Sequence, residues 1–79
     1  MSREEELQQE LARAEQHISE FKQRISAQEA LVAELERDGH PTKVAQSLLR
    51  QFRESLRLAH EHRELLLKEL ADLDPRNSN

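Results

Sequence analysis

Two heptad-patterned stretches of nearly equal length flank the only glycine of this chain, Gly39. In the first, Leu7, Leu11, Ala14, Ile18, Phe21, Ile25, Gln28, Val32 and Leu35 recur at alternating steps of four and three. In the second, Ala45, Leu49, Phe52, Leu56, Ala59, Arg63, Leu66, Leu70 and Leu73 do the same. Such steps keep side chains on one face of a helix, and about four heptads per half give that face a partner along its length. The pattern predicts an all-α chain: an antiparallel two-helix hairpin of coiled-coil type.

Local signals set the boundaries. Ser2 and Glu5 have the spacing of a capping box, and Glu4 to Glu6 suit the positive end of a helix dipole. The first helix is expected over residues 3–37. Gly39 suits the left-handed residue that ends many helices, and Pro41 drives His40 out of helical geometry. The turn then covers residues 38–42, with Thr42 as N-cap of a second helix over residues 43–73. Pro41 at the first helical position is the alternative start. Asp74-Pro75 ends the helix, leaving a frayed tail over residues 74–79.

A fold-back at Gly39 pairs residues whose numbers sum to about 80, from the 1.5 Å rise shared by both helices. Leu35 then meets Ala45, Ile25 meets Leu56, Ala14 meets Leu66, Gln28 faces Phe52 and Leu7 meets Leu73. Glu29 comes near Arg50 and Arg53, and Glu36 near Lys43. An i,i+4 pair is expected between Glu20 and Arg24. The first helix region, Ser2 to Asp38, carries five basic and ten acidic residues, a net of -5. The second, Thr42 to Leu73, carries six basic and five acidic, a net of +1. That imbalance favours pairing of the two halves over nucleic acid.

The second half holds more apolar surface than one seam needs. Val44, Leu48, Leu58, Leu65 and Leu67 lie outside the main stripe. A helix apolar beyond one stripe calls for a second partner. A single domain of 79 residues is also marginal alone. A homodimer in which two hairpins form a four-helix bundle is the expected assembly.

Chemistry is sparse. The chain has no cysteine, so neither disulfides nor thiolate metal sites are available. An acidic, polar start does not resemble a secretory signal, and no apolar run reaches membrane-spanning length; a cytoplasmic protein is expected. His17 and His62, whose numbers sum to 79, are the candidate metal ligands. Zinc needs three or four converging donors, and His60 points away from His62 on the same helix. The preferred reading is a polar layer of His17, Glu20, His62 and Arg63 that fixes register. Gln28 has the same role as a core amide. His40 is a turn residue that titrates near neutrality. Arg50, Arg53 and Arg57 form a basic ridge, the candidate nucleic-acid surface, but Glu54 interrupts it and no aromatic side chain is placed to stack on bases. No glycine-rich phosphate loop or nucleophile elbow is present, and Ser55 faces the seam.

The run from His17 to Glu20, then Arg24-Ile25, Asp38-Gly39-His40-x-Thr42 and Ser55-Leu56 to His62-Arg63 resembles short uncharacterised alphaproteobacterial helical-hairpin proteins. Their mark is a Gly-His-x-Thr turn with a downstream His-Arg. The likeness spans about residues 14–70. It implies a shared polar set of His17, Glu20, Arg24, His40, His62 and Arg63, with an acidic residue where this chain has Pro41. It implies no activity.

The expected function is a small non-enzymatic protein–protein interaction or scaffold protein. It self-associates through helical packing, without cofactors, and can engage a helical segment of another protein. The alternatives are a nucleic-acid-associated accessory factor using the Arg50–Arg57 ridge, and a helical bundle binding a metal or small ligand.

Overall fold

A computed structural model describes residues 2–74. It contains two α-helices, α1 (Arg3–Arg37) and α2 (Lys43–Leu73), folded back on each other as an antiparallel hairpin. The rod measures 60 × 23 × 15 Å. Both helices match the boundaries expected from the sequence. The tail expected over residues 74–79 lies outside the described residues apart from Asp74, the C-cap of α2.

The ends of α1 show why its boundaries were readable. The Ser2 hydroxyl accepts the Glu5 amide at 3.1 Å, the serine half of the capping box. Glu4, Glu5 and Glu6 occupy the first turn and Arg37 the last, each at its favoured end of the dipole. At the other end Gly39 takes φ 71°. The His40 amide donates to the Leu35 carbonyl at 2.9 Å, and the Gly39 amide to Glu36 at 3.2 Å. These two bonds are the Schellman pattern, which satisfies carbonyls left over at a helix end. His40 therefore closes the turn through its backbone.

The start of α2 differs from expectation. Thr42 occupies the N-cap, and its carbonyl accepts the Gln46 amide at 2.8 Å. Its side chain makes no capping bond, because its backbone sits at φ -114°, ψ -1° rather than extended. Pro41 lies before the helix. The first turn of α2 has no acidic residue and the last no basic one, so α2 gains little from its own ends and depends on packing.

The core is a thin seam. Leu7 is fully buried and clusters with Ala14 and Leu66, with Leu11 and Leu70 packed against them. This is the open end of the hairpin, far from the turn. Leu7 was expected to meet Leu73. Instead Leu73 is exposed and stands outside the cluster, where Leu66 and Leu70 cover Leu7. The long side chains of Arg3 and Glu69 bridge this end at 2.9 Å. Ile18 and Leu49 are buried along the rest of the seam. Toward the turn the seam holds an amide. Gln28, 9% exposed, donates through Nε2 to the Ala45 carbonyl at 2.9 Å. Phe52, the residue expected to face it, offers no acceptor; a helical C=O keeps a second lone pair, and a buried amide must find one.

Candidate functional site

Each step along a helix turns about 100°, so residues one place after the seam positions form one flank and residues one place before form the other. In an antiparallel pair, the "after" positions of both helices fall on the same side. That side is held together by polar contacts. Gln46 reaches Glu36 at 3.5 Å, Arg53 reaches Glu29 at 3.2 Å and Arg63 lies 3.8 Å from Glu15. Glu29 meets Arg53 as the charge pattern implied. Glu36 takes Gln46 rather than the expected Lys43, a polar neighbour placed directly across this flank.

The opposite flank is apolar. Val44 is 84% exposed, Leu65 62% and Leu58 51%, with Leu48 and Leu31 also exposed. Four of these five belong to α2, at steps of four, ten and seven, which are positions of a single heptad stripe. Val44 and Leu48 border an open groove of about 400 Å³ with Lys43, Ser47 and Gln51. Leu65 also edges a groove of about 740 Å³ over the back of α2, away from the seam, with Arg57, His60, Glu61, Glu64 and Lys68. Every residue lining either groove lies on α2. They are open strips along one helix, not concavities that could enclose a small substrate. Leu67, expected with this group, lies one place after Leu66 on the closed flank and is half-buried.

The expected polar layer takes a different form. His17 and His62 are both exposed, and neither makes a hydrogen bond among the described residues. Both sit one place before a seam position, on the open flank, rather than at a buried edge. Glu20 accepts from Gln16 at 3.3 Å, while Arg24 lies 5.5 Å from the centre of the Phe21 ring. The expected Glu20–Arg24 pair therefore does not form. Arg63, one-third exposed, bridges Glu15 and the adjacent Glu64. His60 instead borders a groove of about 370 Å³ on the closed flank, with Glu15, Ile18, Ser19, Lys22 and Arg63. A long arginine has several carboxylates in reach, each worth only tenths of a kcal/mol, so register alone does not select its partner.

The ridge of Arg50, Arg53 and Arg57 is largely neutralised. Arg53 pairs with Glu29, and Arg57 holds both Glu54 and Glu61. The Arg57 hydrogen bond keeps the Glu54 carboxyl below the ordinary glutamate range. Arg50 makes no ion pair among the described residues. No group of three or more His, Asp or Glu side chains converges as a metal site among the described residues. No helix among them is long and apolar enough to cross a membrane.

No protein-family model matches the chain, and no curated protein or solved structure is significantly similar to it.

Proposed function

We propose that this chain is a small non-enzymatic protein–protein interaction protein that self-associates through the open flank of its seam. One observation carries the reading: the exposed large side chains Val44, Leu48, Leu58 and Leu65 fall on one stripe of α2, while the other flank is closed by polar contacts. Scattered leucines are ordinary on protein surfaces, but an aligned stripe is the geometry of a helix seam without its partner. A nucleic-acid role draws little support, since two of the three ridge arginines already hold glutamates.

The test is light scattering after gel filtration at micromolar chain concentration. Leu58→Glu and Leu65→Glu should each weaken association roughly 10- to 100-fold, the loss of about 1.5–3 kcal/mol of apolar burial. Lys22→Gln, on the closed flank, should leave it unchanged. Equal behaviour of all three variants and the unaltered chain would sink the reading.

A further inference from the structure

The exposed stripe belongs to α2 along most of its length, but to α1 only near the turn. From Val44 to Leu65 it extends about 32 Å. On the same flank α1 carries Glu10, Arg13, His17, Glu20 and Arg24 before it reaches Leu31. A second copy can cover this flank in two ways that preserve a two-fold axis. With both turns at the same end, α1 of one copy lies over α2 of the other. Leu58 and Leu65 are then laid against Glu20, Arg24 and Arg13, which lose water without gaining partners. With the turns at opposite ends, α2 lies over α2 and α1 over α1, so the apolar stripe meets itself and the charged residues of α1, of both signs, meet one another.

We propose that the open flank is covered by a second copy of this chain, with α2 antiparallel to α2 and the turns at opposite ends. The proposal rests on the self-association reading and adds the orientation of the occupant. The open-flank positions of α2 are symmetric about the point between Leu56 and Arg57: 44, 48, 51 and 55 mirror 69, 65, 62 and 58. A two-fold axis there sets Leu48 against Leu65 of the second copy, Leu58 against Ser55 and Gln51 against His62, with Val44 at the rim beside Glu69. Ser55 is half-buried, and a small side chain next to the axis lets the helices approach.

Surface area agrees. The chain exposes 6069 Å², whereas a globular protein of its mass exposes about 5,000 Å². The surplus, about 1,100 Å², compares with the roughly 800 Å² that each partner buries in a standard interface.

Because the sequence has no cysteine, one label can be placed cleanly. The experiment is a His40→Cys variant carrying a spin label, with mass fixed by light scattering and label separation measured by pulsed dipolar spectroscopy. His40 is exposed in the turn. Turns at opposite ends place the two labels about 50 Å apart, roughly thirty-three residues of helical rise. Turns at the same end place them within about 20 Å, two helix spacings. A dimer with the long separation is expected. A dimer with the short one overturns the orientation and leaves self-association standing. A helical monomer overturns both and leaves the flank to a different protein.

Discussion

Across one flank of the seam, Glu36, Glu29 and Glu15 reach from α1 to Gln46, Arg53 and Arg63 of α2. Across the other, the same two helices present Leu31, Val44, Leu48, Leu58 and Leu65 to solvent. Both flanks border the same core, so the contrast is not one of position in the fold. Polar groups lose little by ending in water, and exposed ion pairs add no more than about 1 kcal/mol each. Apolar surface gains about 25 cal/mol for every Å² covered. One flank is therefore complete in a single chain, and the other leaves apolar surface in water. On the proposed self-association, a second copy is the further partner that covers it.

Neighbouring leucines give the sharpest way to break this comparison. Leu66 lies in the buried cluster, and Leu65 one step away lies on the open flank. Leu66→Ala should cost about 2–4 kcal/mol, the usual range for a buried leucine. Helix content should fall at every chain concentration. Leu65→Ala should cost the isolated hairpin under about 0.5 kcal/mol, as surface substitutions do. Its effect should be confined to the concentration dependence of the thermal melt. Circular dichroism melts over a hundredfold range of concentration separate the two. Equal, concentration-independent losses would erase the distinction between seam and flank.

The smallest effect concerns the exposed ion pairs of α2. Arg57 holds the Glu54 carboxyl below the ordinary glutamate range, through a hydrogen bond first and charge attraction second. A depressed folded pKa contributes stability that is present above the unfolded value and lost as pH falls through the folded one. Stability should therefore decline slightly on acidification below the ordinary glutamate range. Arg57→Gln should remove that part of the decline and return Glu54 to ordinary titration. Carboxyl NMR titration of both proteins checks it. A Glu54 that titrates in the ordinary range with Arg57 present would show that the pair does not hold in solution.

The fold was legible because the signals that define it are local. The four-three recurrence, Ser2 at one end of α1 and Gly39 at the other each act within a turn or two of chain. The side-chain contacts were less so. Leu7 lies in a cluster with Leu66 and Leu70 while Leu73 stays exposed, and Gln28 donates to the Ala45 carbonyl, a partner the register sum does not name. Long side chains span a turn or more, so a register sum locates their neighbourhood but not their partner. The polar layer drawn from His17 and His62 failed for a related reason. Pairing by residue number says how far along the rod two side chains lie, not whether they point into the seam. The flank asymmetry was present in the sequence all along. Shifting the seam positions by one residue in each direction yields Gln46, Arg53 and His60 on one side of α2, and Val44, Leu48, Leu58 and Leu65 on the other.

Sedimentation equilibrium of the unaltered chain asks most directly whether the open flank is covered by a copy of itself. At tens of micromolar the fitted mass should be about 18.6 kDa, twice the 9.3 kDa of one chain. It should fall toward the single-chain mass on dilution, while Leu65→Glu stays at that mass throughout. A fixed mass of 9.3 kDa for the unaltered chain, with helix content intact, would mean that the hairpin leaves its apolar flank bare and that self-association is not its function.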